Sequence, residues 1–229
     1  QRRLRTFPAQ RLHETIPDFH NTTRRFYAFV AAVAEDRAGR VDALEDEIEF
    51  FFERRKMMNE IVRRLKTGEL PLRVTHNDTK SNNVLIDQET DEAICVIDLD
   101  TVMPGSSLYD FGDAVRFGAS TAAEDEEDLS KIGLDMEKYR LFTEGFLRET
   151  NGFLTEKEIG LLPLGVKVIT CELAMRFLTD YIDGDRYFKV NSPTHNLARA
   201  HAQMKLLTDI EAKEEEMYRV LMEIIREGT

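Results

Sequence analysis

The sequence predicts a mainly helical α+β domain with a small patch of β-hairpin embedded in it. Three observations carry that expectation. Apolar residues recur at helical spacing before about residue 68 and again beyond residue 105, and between them lie three short apolar runs rich in β-branched residues. A parallel doubly wound sheet would need strands to keep recurring after residue 105, and none does. With 229 residues, 42% of them apolar, and only 12 Gly and 6 Pro, the chain cannot be collagenous, low-complexity or wholly disordered.

The elements follow in order. From Thr22 to Ala38, the residues Phe26, Phe29, Val30, Val33 and Ala34 form the stripe of an amphipathic helix. A second helix is expected from Val41 to Lys66, with Leu44, Ile48, Phe51, Phe52, Ile61, Val62 and Leu65 inward and Gly68 as its stop. Leu70 to Val74, Val84 to Ile86 and Ala93 to Ile97 read as strands, the last two joined by a polar turn at Gln88 to Asp91. Beyond Pro104-Gly105, a short helix is expected over Leu108 to Phe117, then an exposed acidic loop from Ser120 to Ser130 containing Glu124-Asp125-Glu126-Glu127-Asp128. A helix from Asp135 to Glu149 comes next. Thr155 and Glu158 have the spacing of a capping box opening another, which passes Pro163 with a kink and reaches Asp183. A last helix spans Thr194 to Glu227. No internal repeat and no Gly/Ser-rich linker divides the chain.

Lys+Arg number 31 against 43 Asp+Glu, a formal charge of -12 that disfavours duplex nucleic acid and anionic membranes as partners. No run approaches the roughly 18 apolar residues of a membrane span, and the start, Gln1-Arg2-Arg3-Leu4-Arg5, leads into no apolar signal segment. Cys95 and Cys171 both lie in apolar runs, which reads as two buried thiols in a reducing, cytoplasmic compartment.

The densest cluster of chemically useful side chains is Thr75-His76-Asn77-Asp78-Thr79-Lys80-Ser81-Asn82-Asn83. Polar groups set between apolar strands must bond to one another or to a ligand, since each unpaired one costs about 1 to 3 kcal/mol. A second cluster ends the next strand, where Ile94-Cys95-Val96-Ile97 delivers Asp98-Leu99-Asp100. In an extended strand Asp98 and Asp100 share a side, about 6 to 7 Å apart at Cα, and could share a divalent cation.

His76-x-Asp78, with Asn83 five residues after the aspartate, has the spacing of the protein-kinase catalytic loop. The wording His76-Asn77-Asp78-Thr79-Lys80, then Val96-Ile97-Asp98-Leu99-Asp100-Thr101-Val102-Met103-Pro104-Gly105 and Tyr109-Asp110-Phe111-Gly112-Asp113, is similar to the aminoglycoside phosphotransferase and choline kinase superfamily. Within it the sequence most resembles bacterial N-acetylhexosamine 1-kinases, a likeness that extends over Glu14 to Asn21 and Met175 to Phe188.

The resemblance implies a protein-kinase-like C-terminal lobe over residues 1–229, with the catalytic loop and metal-binding hairpin at residues 70–105. It implies transfer of the γ-phosphoryl group of ATP to a hydroxyl of a small sugar, an N-acetylhexosamine at its anomeric position being the nearest match. Asp78 would orient the acceptor hydroxyl and take its proton; Asn83, Asp98 and possible partner Asp100 would hold magnesium. Leu85 and Ile97 would floor the adenine site, and Arg176 and Tyr187 would contact the sugar. Choline or an aminoglycoside-like alcohol is the alternative acceptor. Asp110-Phe111-Gly112 spells the kinase metal motif, but it lies past the hairpin and would leave Asp98 idle, so Asp110 is read as a helix cap or a brace for the catalytic loop. His76 is read as structural, Lys80 as exposed or near phosphate, and His13, His20, His195 and His201 show no metal spacing.

Two rival readings remain. Ile94 to Val102 also fits a haloacid-dehalogenase-type phosphatase, with Asp98 as nucleophile and Asp100 as acid, but that motif opens a Rossmann-like sheet and leaves the Asp78 cluster unexplained. A non-catalytic kinase-like binding module has no chemical need for Asp78, Asn83 and Asp98 together. Ahead of His76 there is no Gly-rich turn between strands: Gly39 and Gly68 sit at helix ends, and Lys56 and Lys66 fall on a helical pattern. The strand-rich nucleotide-binding lobe of such kinases is therefore expected to be absent from this chain.

Overall fold

The computed structural model of the chain describes residues 4, 6–150 and 152–228, so the arginine-rich start falls, Leu4 aside, outside the described residues. Among these the architecture is helical with two small antiparallel strand pairs, in the order α1 (Thr22–Glu35), α2 (Glu45–Met58), α3 (Glu60–Lys66), β1 (Arg73–Thr75), β2 (Val84–Ile86), β3 (Ala93–Val96), β4 (Met103–Gly105), α4 (Ser107–Gly118), α5 (Met136–Thr150), α6 (Glu156–Gly160), α7 (Leu162–Ile182), α8 (His195–Ala212) and α9 (Glu214–Glu227). The strand pairs are β1 with β4 and β2 with β3, and no parallel sheet is present among the described residues. That removes the Rossmann-like context which the phosphatase reading requires.

Helix α7 organises the interior. Fifteen of its 21 residues are buried, and a helix apolar all round is one surrounded by others. One core cluster joins α7 to α4, α5 and α9 through residues such as Phe111, Tyr139, Val166 and Leu221. The other joins it to α1, α2 and α8 through Phe29, Phe51, Met175 and Leu207. The α4–α7 crossing rests on glycine: a Cβ at Gly112 would lie 2.4 Å from the Gly165 carbonyl oxygen, and one at Gly165 would lie 2.5 Å from that of Leu108. No helix of the described residues is long and apolar enough to cross a membrane.

Three expected long helices are each divided. The Val41 to Lys66 pattern breaks at Asn59, where Thr22 Oγ1 donates to the Met58 carbonyl at 2.5 Å and clamps the joint against α1. The capping box of Thr155 and Glu158 forms as the spacing predicts, but Pro163 starts a new helix instead of kinking one, because its ring suits a first turn where no N–H is needed. The C-terminal pattern breaks at Lys213, which lets Met217, Leu221 and Ile224 of α9 turn back onto the core. Phe52, expected inward, is 45% exposed and lies edge-on against Phe26.

The strand region departs further. Leu70 is core, and the first strand starts only at Arg73. It pairs with a strand that periodicity missed, Met103–Gly105, in the register Val74 opposite Pro104; an edge pair tolerates a proline because no third strand needs its donor. Strands β2 and β3 pair with a bulge after Leu85 and are largely exposed on both faces. Cys95 is consequently exposed while Cys171 is buried, which corrects the expectation of two buried thiols. The physical reason is that a two-stranded ribbon is covered only if another layer packs on it, and no described residue supplies one. The acidic loop is also more than a solvated face: Glu124 pairs with buried Arg116 at 2.9 Å, and Asp125 lies 3.2 Å from His195.

Candidate active site

The loop after β1 is held from several sides. In α4, Asp110 accepts the backbone N–H of His76 at 3.1 Å and that of Asn77 at 2.8 Å, and its carbonyl accepts the Thr79 hydroxyl. This is the bracing geometry, and Asp110 is 7% exposed. Asn77 is left-handed, with φ 66°, a conformation asparagine tolerates better than most side chains. Its side chain donates to the Thr101 carbonyl and accepts from Thr75 Oγ1. A Cβ at Gly105 would lie 2.3 Å from that same Thr75 oxygen, so β4 approaches β1 here only as glycine. His76 Nδ1 accepts the Asp78 N–H at 3.3 Å, which leaves the ring hydrogen on Nε2 to donate to the Ile97 carbonyl at 3.0 Å. The histidine thus ties the loop to the end of β3.

Asp78 stands at the focus. Its Oδ2 accepts from Asn83 Nδ2 at 2.9 Å and pairs with Lys80 Nζ at 2.9 Å, so Oδ1 is the oxygen without an intramolecular donor among the described residues. Burial alone would lower the Lys80 pKa, yet the hydrogen bond and charge of Asp78, with Asp98 and Asp113 behind, raise it. Lys80 is therefore neither a free surface cation nor a neutral amine. Asn83 also donates to the Asp78 carbonyl and is 5% exposed.

Asp98 and Asp100 do come together, though not on an extended strand. Strand β3 ends at Val96, Asp98 is left-handed at φ 62°, and Asp100 lies in a 3-10 turn over Leu99–Thr101. The turn reverses the chain and sets the two carboxyls within hydrogen-bonding reach, and that contact with Asp100 is the main cause of the raised Asp98 pKa. Two carboxylates crowded this way are relieved by a divalent cation. Among the described residues no group of three or more His, Cys, Asp or Glu side chains forms a closed cage. An open set of few carboxylates is what magnesium uses when phosphate and water complete its shell.

Asp78, Asp98, Asp100, Arg176 and Tyr187 all line one cavity of about 540 Å³. Asn83 sits behind Asp78, outside the lining. Leu85 and Ile97 are also outside it, 48% and 37% exposed on the β2–β3 ribbon. Arg176 of α7 lies 5.6 Å from the Tyr187 ring centroid, with its Nη2 at 3.5 Å from the tyrosine hydroxyl. Tyr187 is placed by Asp180, whose carboxylate accepts the backbone N–H groups of Arg186, Tyr187 and Phe188 at 2.8–2.9 Å and the Asn196 amide at 2.9 Å.

Several residues of the cavity escaped sequence reasoning. Glu172 pairs with His20 across 152 positions, and Asp113 and Glu124 converge on Arg116. Lys189 and Arg199 line the cavity too, and neither forms an ion pair among the described residues. Only Asp113 and Glu172 carried a signal: a carboxylate on an otherwise apolar helix pattern next to a motif already singled out.

The model of the phosphotransferase enzyme family, APH, matches residues 2–142, more than half of the chain. The match spans the Asp78 loop, the Asp98 turn and the Asp110 brace; Arg176 and Tyr187 lie beyond it. With the bracing network and the Asp78 and Asp98 loops inside the matched stretch, the chain belongs to the phosphotransferase enzyme family.

Proposed function

We propose that the chain carries the acceptor and metal half of an ATP-dependent kinase for a small sugar, an N-acetylhexosamine phosphorylated at its anomeric hydroxyl being the favoured acceptor. The observation that carries this reading is the convergence of Asp78, Asp98 and Asp100 with Arg176 and Tyr187 on one cavity. Asp78 Oδ1 accepts the acceptor hydroxyl and takes its proton as the new O–P bond forms and the bond from the γ-phosphorus to ADP breaks. Asp98, Asp100 and the Asn83 amide oxygen would hold magnesium, which supplies charge neutralisation on the phosphate oxygens. Arg176 donates to several sugar hydroxyls and Tyr187 covers an apolar sugar face.

The exposed apolar side chains Leu85, Ile94, Val96 and Ile97 suit a ribbon that lies under the adenine of ATP and against a separate nucleotide-binding lobe. Cytoplasmic residence fits this nucleotide dependence.

The test is release of nucleotide diphosphate by the full-length enzyme with magnesium and ATP, offered hexosamines, N-acetylhexosamines, hexoses, choline and aminoglycosides in turn. Turnover highest with an N-acetylhexosamine supports the proposal. Turnover with choline or an aminoglycoside alone rejects the sugar, and release of inorganic phosphate without a phosphorylated acceptor rejects the kinase.

A further inference from the structure

We propose that His20 is a positioning residue of this enzyme: held as an imidazolium between Glu172 and the Asn77 carbonyl, it fixes the peptide that carries Asp78. The activity side of this inference rests on the role proposed for Asp78. The structural side stands on hydrogen bonding alone.

His20 Nδ1 lies 3.0 and 3.2 Å from the two Glu172 carboxylate oxygens, and Nε2 lies 3.0 Å from the Asn77 carbonyl oxygen. Both partners only accept, so both ring nitrogens must carry hydrogen. A neutral ring would set one lone pair against another at a site where the His20 and Glu172 side chains are 9% and 2% exposed. Burial alone would pull the histidine down, but the charge and hydrogen bond of Glu172 and the Asn77 carbonyl raise its pKa. Burial likewise pushes Glu172 up, and His20, Arg176 and Arg25 bring it below its ordinary value.

The surroundings of the ring are few. From α7 come Glu172 and Arg176, the latter opposing the charge. From α4 comes the Tyr109 ring, 4.8 Å away by centroids, its phenol pushed up by burial and by the Glu172 charge. From α1, Arg25 acts on Glu172. The Phe19 ring closes the remaining side at 4.6 Å.

The consequence falls on the catalytic loop. Asn77 is gripped at its N–H by Asp110 and at its C=O by His20, so an acceptor and a cationic donor hold the left-handed residue immediately before Asp78. The Asn77 carbonyl belongs to the same peptide unit as the Asp78 N–H. Loss of the His20 hydrogen bond leaves that unit held only at its N–H, by His76 at 3.3 Å, so it can tilt and Asp78 loses part of its aim at the acceptor.

The test has two arms. In the intact protein, ring nitrogen NMR should show His20 doubly protonated at neutral pH, and as pH rises the Asp78 amide resonance should move with the same midpoint as His20. In the full-length enzyme, kcat should fall on the alkaline side with that midpoint while KM for ATP holds. Glu172→Gln should shift the fall to lower pH. His20→Gln, which keeps one donor toward Asn77 but cannot ionise, should lose kcat about 10- to 100-fold and lose the alkaline fall. A neutral His20 at pH 7, or an Asp78 amide indifferent to its titration, overturns the proposal. If the wild-type enzyme transfers no phosphoryl group, the proposed function fails, and the NMR arm still decides the positioning claim.

Discussion

One oxygen of Asp78 already serves Asn83 and Lys80, which leaves the other for the proposed role of base. Asp78→Asn retains the shape and both neighbours' bonds in part but cannot take a proton. Turnover of the full-length enzyme should fall 10²- to 10⁴-fold, about 3 to 5 kcal/mol, with nucleotide affinity nearly kept; wild-type-like turnover would sink the assignment. Asp98 and Asp110 separate by burial. Asp110→Ala leaves the His76 and Asn77 N–H groups without their acceptor inside the loop, and should lower stability by about 2 to 4 kcal/mol in urea unfolding. Asp98→Asn removes a charge that crowds Asp100 and keeps a side chain that tolerates the left-handed backbone, so it should leave the urea midpoint in place and weaken the magnesium dependence of nucleotide binding. The reverse pattern would show that Asp110 is the metal ligand. At this scale the convergence of Asp78, Asp98 and Asp100 on one cavity was legible because it depends on local spacing. His20 was not, since its meaning lies in a carboxylate 152 positions away and a carbonyl 57 positions away.

Between residue and fold, Glu158 shows how an element can be read correctly and incompletely. Its spacing from Thr155 announces a capping box, and the box forms. The same carboxylate also takes a bidentate pair from Arg73 at 3.0 and 2.7 Å and the Ser107 hydroxyl at 2.9 Å, so it joins α6 to β1 and α4. Thr155→Ala should cost about 0.5 to 2 kcal/mol, the worth of a cap. Glu158→Ala should cost about 3 to 5 kcal/mol, because Arg73 is left charged and unpaired where it is largely buried. Equal losses in urea titrations would mean that Glu158 is only a cap. The α4–α7 crossing makes a second element-scale claim. Gly165→Ala puts a methyl group against the Leu108 carbonyl and should destabilise by about 1 to 3 kcal/mol, with Asp110 carried away from the loop as α4 shifts. Helices were legible because their stripes are long. Their joints were not, since Asn59 and Lys213 break patterns that continue across them, and β4 is three residues long with a proline in the middle.

Across the whole molecule, the two core clusters share α7, and the buried Glu158, Glu172 and His20 make the fold sensitive to pH on both sides. Glu158 and Glu172 titrate below the ordinary glutamate value of 4.5 in the folded chain, burial notwithstanding, because Arg73 and His20 respectively favour their ionised forms. Their contribution is complete above that value and is lost as pH falls through the depressed ones. His20 titrates above its ordinary 6.5, so its contribution is complete below 6.5 and is lost as pH rises through the raised value. All three are fully present only between these limits. The urea midpoint should therefore be highest between about pH 4.5 and 6.5 and decline on either side. Because Glu172 and His20 are partners, the single change Glu172→Gln acts on both limbs: it removes one acid-sensitive carboxylate and, by lowering the His20 value, moves the alkaline decline toward neutral pH. Glu158→Gln softens the acid limb and leaves the alkaline one where it was. General repulsion in a chain of formal charge -12 predicts another outcome, in which both variants raise the alkaline limb alike and added salt erases it. An alkaline limb that shifts with Glu172→Gln, stays with Glu158→Gln and resists salt places its origin in the buried His20–Glu172 pair.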